Sequence, residues 1–147
     1  HFDICRPGIG LYGGAPFKEA KAVVNLSLPV IQTRALAPEE AVGYGATWTA
    51  HRPSLIATLS AGYADGLIRA MSGRAVVYAN GIPCPIAGRV SMDLITVDVT
   101  HLTDIPENME ILCEQQSIDQ LADEAGTIGY EILTSLGNRY NRSYTGV

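Results

Sequence analysis

Arg74-Ala75-Val76-Val77-Tyr78-Ala79-Asn80-Gly81-Ile82-Pro83-Cys84-Pro85-Ile86-Ala87 is the stretch on which the fold turns. Asn-Gly best supplies the two positive φ angles of a type I′ turn, so residues 74–79 and 82–87 are expected to fold back on one another as a β-hairpin. Downstream, residues 94–99 and 110–114 read as further short strands. Upstream, residues 54–60 read as another. Val24, Leu26, Leu28 and Val30 alternate with Asn25, Ser27 and Pro29, the period of two of a half-buried strand. Proline has no N–H for a ladder, which puts that strand at an edge or at a bulge. Strands this short, with no helices between them, favour an antiparallel barrel or sandwich over a parallel sheet, and the fold class is mainly β. Helical signals wait until after Gln116. Ser117-Ile118-Asp119-Gln120 has the form of a capping box, and Ile118, Leu121, Ala122 and Ala125 share a face up to Gly126. Residues 130–136 predict a second short helix, closed by Gly137.

Composition narrows the functional classes. The 147 residues are long enough for one domain with a real core, and 47% apolar against 17% charged residues marks a globular chain. A net charge of -5, with 15 acids and 10 bases in no long block of either sign, argues against a nucleic-acid footprint. No stretch approaches the roughly 20 apolar residues of a membrane span. Cys5, Cys84 and Cys113 are odd in number and far apart, which suits a thiol-reduced, cytoplasmic protein. His1, His51 and His101 are equally scattered, and no metal-ligand spacing is present. The opening His1-Phe2-Asp3-Ile4-Cys5-Arg6-Pro7 lacks a methionine and reads as cut from a longer polypeptide. Residues 14–22 have linker composition and contain both lysines, Lys18 and Lys21, so a boundary is expected there.

Three polar islands remain. Gly43-Tyr44-Gly45-Ala46-Thr47-Trp48 and Gly62-Tyr63-Ala64-Asp65-Gly66 each hold a tyrosine near flanking glycines, which permit sharp turns and let a phenol stand clear of its own strand. Gly88-Arg89-Val90-Ser91-Met92-Asp93 sets a cation, a thioether and a carboxylate between two strands. Taken alone, Arg89 and Asp93 would be a solvated surface pair.

Together with Arg6-Pro7-Gly8-Ile9-Gly10-Leu11-Tyr12-Gly13, Arg69 and Tyr130-Glu131-Ile132, the order and spacing of these islands resemble the C-terminal domain of alanine racemase. That family uses pyridoxal 5'-phosphate to interconvert L- and D-alanine for peptidoglycan synthesis. The resemblance spans almost the whole chain. It implies residues 1–13 as the last strand of an otherwise missing N-terminal (β/α)₈ barrel, residues 14–22 as a linker, and residues 23–147 as an antiparallel, barrel-like C-terminal β domain. It also implies a homodimer with shared active sites and a small amino-acid substrate.

By this resemblance Tyr44 matches the tyrosine that serves one face of the substrate Cα, while a barrel lysine of the other subunit serves the opposite face. Racemization needs such a pair, since a proton leaves one face and another arrives on the other. A free phenol titrates near pH ~10, so a tyrosine base needs cations or hydrogen bonds that favour the phenolate. Arg6 matches the arginine that faces the pyridine nitrogen of the cofactor. Gly8 and Ile9 match positions whose amides face its phosphate, and Tyr130 a phenol that donates to that phosphate. Met92 matches the residue whose main chain meets the substrate carboxylate. Tyr63, Arg69, Arg89, Asp93 and Ile128 match the walls of the substrate channel. Trp48 stands where the family carries another aromatic and receives no role from the resemblance.

One departure bears directly on activity. Neither Lys18 nor Lys21 has a context resembling the family's Schiff-base lysine, so the chain alone is expected to retain no cofactor and to be inactive. Three other readings stand beside this one: a decarboxylase of the same architecture, whose expected cysteine-acid motif Cys113-Glu114 does not match in its surroundings; a racemase for serine or another amino acid; and a non-catalytic β-barrel dimerization or binding module.

Overall fold

The computed structural model describes residues 3–17 and 19–146; expectations that fall on His1, Phe2, Lys18 and Val147 lie outside the described residues. Among the described residues there are eight strands: β1 (Leu26–Leu36), β2 (Ala41–Val42), β3 (Trp48–Thr49), β4 (Ser54–Leu59), β5 (Val76–Ala79), β6 (Ile82–Pro85), β7 (Ile95–Asp98) and β8 (Asn108–Leu112). Two helices follow, α1 (Ile118–Ala125) and α2 (Gly129–Ser135). Six strands form one antiparallel sheet in the order β6-β5-β8-β1-β4-β7. Its two edges meet. Ile86, just past β6, bridges to Val97 of β7, and Ala87 N–H donates to Thr96 O at 2.8 Å, so the sheet is a nearly closed barrel.

The hairpin that organises the sequence forms as expected. Val76 pairs with Pro85 and Ala79 with Ile82, and Asn80 and Gly81 take φ values of 50° and 81°. Proline is confined to positions that make no ladder donation. Pro29 lies neither at an edge nor in the bulge itself: β1 has β8 on one side and β4 on the other, and Pro29 pairs in register with Asn108 just before the β1–β4 pairing begins at Val30. Its carbonyl accepts from Ser60 N–H at 3.0 Å, and the β1–β4 register shifts between Val30 and Gln32.

Alternation along the strands fills the barrel. Leu28, Leu59, Val77, Ile95, Val97, Met109 and Ile111 are all buried in one cluster. Each such side chain contributes about 1.5–3 kcal/mol relative to exposure. Ile118, Leu121 and Ala122 of α1 and Ile132 of α2 join the same cluster, so both helices lie against the barrel core. The capping box is present in both directions: Ser117 Oγ accepts from Gln120 N–H, and Gln120 Oε1 accepts from Ser117 N–H at 2.8 Å. Gln116, buried beside it, donates through Nε2 to the carbonyls of Val76 and Ile111.

Two elements differ from expectation. Within the segment expected to be a barrel strand, Gly8–Tyr12 is a 3-10 helix. A strand there would need a neighbour for its N–H and C=O groups, and the described segment pairs with none. The two-residue strands β2 and β3 are too short to show any period, and they form a small separate hairpin with Tyr44 in its loop.

Candidate functional site

Leu59 pairs with Ile95, so the loop that leaves β4 and the loop that enters β7 emerge at the same end of the barrel. The first carries the 3-10 turn Tyr63–Asp65, the second residues 88–94. They are zipped backbone to backbone: Tyr63 N–H donates to Ser91 O and Ala64 N–H to Met92 O, both at 2.9 Å. Gly62 lies so close to this junction that a Cβ would fall inside the carbonyl oxygens of Ser91 and Met92. The glycine before Tyr63 therefore serves close packing rather than an open phenol. Gly66 is held in the same way against the backbone of Ser135.

The β2–β3 hairpin leans on the second loop, with Gly43 against the Gly88 and Arg89 backbone. Trp48 anchors it, packing half-buried against a small cluster of Leu36, Ala50, Ile56 and Ala87. At the tip the glycines do work as turn residues. Gly43 and Gly45 have φ of 83° and 77°, and Tyr44 between them is 75% exposed.

These three segments enclose a cleft of about 580 Å³ whose lining includes Tyr44, Tyr63, Arg69, Arg89, Met92 and Asp93. Two guanidinium groups and two phenols on one cleft favour an anionic group inside it. Asp93 does not pair with Arg89. Its Oδ1 accepts from Arg139 Nη1 at 2.8 Å, and Arg139 Nε lies 3.1 Å from Asp65 Oδ1. Asp65 is 4% exposed, and its other oxygen accepts from Gly62 N–H at 2.9 Å.

A second constellation lies at the start of α2. Ile9 N–H donates to Tyr130 Oη at 2.8 Å, so the hydroxyl keeps its own hydrogen to give to another acceptor. Gly8, with φ of 59°, lies where a Cβ would collide with that hydroxyl. The hydroxyl fills the space beside Gly8 and takes up the Ile9 amide, so the donor left free to meet a compact anion, such as the phosphate end of pyridoxal phosphate, is the Tyr130 O–H. These residues include no lysine and so do not supply its covalent attachment. Arg6 is exposed just before this turn. Next to Tyr130 is a groove of about 550 Å³ lined in part by Tyr12, Leu133, Tyr140 and Arg142. Ile128 is exposed and lines neither cavity.

Sequence reasoning missed Arg139, Asp65 and Tyr140. The Tyr140 hydroxyl is buried without a hydrogen-bond partner, and burial pushes its ionisation well up; the charge of Asp65 adds to the shift and Arg139 opposes it. Burial, then the charge of Asp98, raises the Cys84 thiol, whose Sγ is 3.8 Å from His101 Nε2. That environment makes an inert thiol. Among the described residues no group of acids, histidines and cysteines could hold a metal ion, and no helix is long and apolar enough to cross a membrane.

Residues 23–144 match the family model described as alanine racemase, C-terminal domain. The chain is 65% identical over 146 residues to the alanine racemase of Dinoroseobacter shibae, covering 99% of this chain and 42% of that protein. It superposes on the alanine racemase of Bartonella henselae, solved with covalently bound pyridoxal phosphate, with a TM-score of 0.89 at 41% identity, over 94% of this chain and 40% of the other. On the alanine racemase of Streptomyces coelicolor the TM-score is 0.91 at 29% identity, over 100% of this chain and 42% of the other. The chain thus spans about two fifths of the length of the relatives it matches.

Proposed function

The chain belongs to the alanine racemase C-terminal domain family, and from that membership we propose that it is the β domain of a cytoplasmic, pyridoxal-phosphate-dependent alanine racemase that interconverts L- and D-alanine for peptidoglycan synthesis. Residues 1–13 are the end of a preceding barrel and residues 14–22 the linker. The observation that carries the reading is the position of Tyr44, an exposed phenol at the tip of a hairpin, beside two arginines on a cleft wall.

Tyr44 Oη moves the proton on one face of the substrate Cα, in the active site of a partner subunit, and a lysine outside this chain serves the other face. The Met92 main chain meets the substrate carboxylate, and Tyr63, Arg69, Arg89 and Asp93 line the way in. Ile128 belongs to this channel only if a partner subunit brings its exposed side chain to the cleft. Tyr130, beside Gly8 and Ile9, would hold the cofactor phosphate through its free hydrogen. Arg6 would face the pyridine nitrogen of the bound cofactor and, as a guanidinium, would keep its own protons. When bound, pyridoxal phosphate supplies the electron sink for the carbanion.

Tyr44→Phe in the full-length protein tests the reading. Racemization of L-alanine is expected to fall by about 10²–10⁴-fold while the dimer persists in sedimentation. Unchanged turnover would remove Tyr44 from the chemistry. A full-length protein that racemizes no amino acid would leave the dimerization module as the function, and faster turnover of L-serine than of L-alanine would move the substrate. This chain by itself is expected to show neither cofactor absorbance nor turnover.

A further inference from the structure

The two loops that wall the cleft are joined by one cation that belongs to neither. Arg139 follows α2, and its guanidinium reaches Asp65 on the first loop and Asp93 on the second, at 3.1 Å and 2.8 Å. The two carboxylates are unlike. The Asp65 side chain is 6% exposed and the Asp93 side chain 50%. A carboxylate buried that far needs a compensating charge and satisfied oxygens. Gly62 N–H satisfies one oxygen and Arg139 the other. The tail is pinned to the same loop by its backbone, since Gly137 N–H donates to Asp65 O at 3.2 Å.

We propose that Arg139 is a positioning residue: its bridge between Asp65 and Asp93 sets the width of the cleft, by fixing Tyr63 on one wall relative to Met92 and Asp93 on the other. A planar fork with separate donors can hold two acids at once, which the point charge of a lysine does poorly. Without the guanidinium, Asp65 and Asp93 are two uncompensated carboxylates on facing loops, and their repulsion acts across the Tyr63–Ser91 and Ala64–Met92 hydrogen bonds. The loops then part while the barrel, whose ladder lies elsewhere, stays closed. The use of this cleft for an amino acid rests on the function proposed above; the clamp itself does not.

The test uses the full-length protein with Arg139→Gln and Arg139→Lys. Hydrogen exchange, read by mass spectrometry, is expected to speed up by about tenfold or more at the amides of residues 61–67 and 88–94 in Arg139→Gln, with the β4 and β7 amides unchanged. The KM for L-alanine is expected to rise by about tenfold with kcat within about twofold, and Arg139→Lys to fall between this variant and the wild type. A merely structural loss would instead lower the active fraction and leave KM in place. Should Arg139→Gln not fold, Asp93→Asn cuts only the exposed arm and is expected to shift exchange and KM the same way by a smaller factor. Unchanged exchange at both loops in these variants overturns the clamp. Faster exchange with unchanged KM overturns its positioning role. If the wild type racemizes nothing, the racemase reading fails separately, and the exchange result alone decides the clamp.

Discussion

At the scale of single residues, the glycines beside the two tyrosines have different tasks. Gly43 and Gly45 turn the backbone through positive φ to present Tyr44, whereas Gly62 makes room for two carbonyl oxygens. Because those oxygens belong to backbone that is itself hydrogen-bonded to Tyr63 and Ala64, neither can move aside for a methyl group. Gly62→Ala is therefore expected to destabilise the protein by about 1–3 kcal/mol, seen as a lower urea midpoint. From the chain alone these three glycines look alike, since a close approach is a property of the partner and not of the dipeptide. The same limit hid Arg139. Its partners lie far back in the chain, and nothing in Gly137-Asn138-Arg139-Tyr140 announces a clamp.

Among elements, those built by local chemistry were legible, and those built by pairing were less so. The Asn80-Gly81 turn and the Ser117 capping box each follow from residues within four positions, and both form. Removing the Ser117 hydroxyl leaves the Gln120 amide without its side-chain acceptor, so Ser117→Ala is expected to cost about 1 kcal/mol and to lower the thermal midpoint by about 3 °C in calorimetry. Within the segment expected as the last barrel strand, Gly8–Tyr12 bonds within itself as a 3-10 turn, since extended backbone requires a neighbour and the described residues offer it none. The β2–β3 hairpin escaped for the opposite reason: strands of two residues have no pattern, and the anchoring of Trp48 against Ile56 and Ala87 is a tertiary fact. The residues of the cleft could be named through family resemblance, yet only the fold brings Tyr44, Tyr63, Arg69, Arg89, Met92 and Asp93 around one cleft and leaves Ile128 outside it.

For the whole molecule, two neutral acids shape stability at alkaline pH. Tyr140 and Cys84 are both raised in the folded chain, from ordinary values of 10.0 and 9.0. The unfolded chain loses these protons first, so it binds fewer of them as pH climbs, and the folded state loses stability on that side. The expected result is a urea midpoint that is steady below about pH 9 and then declines, with a shallower decline in Tyr140→Phe. That variant also deletes a buried hydroxyl with no partner, and is expected to be neutral or more stable by up to about 1 kcal/mol at neutral pH. The route of the chain through the clamp carries a different consequence. Both carboxylates are translated before the arginine that joins them, so a ribosome can release the strands and loops of the barrel while the cleft still lacks its cation. The cleft therefore acquires its cation only once the chain beyond α2 has been made.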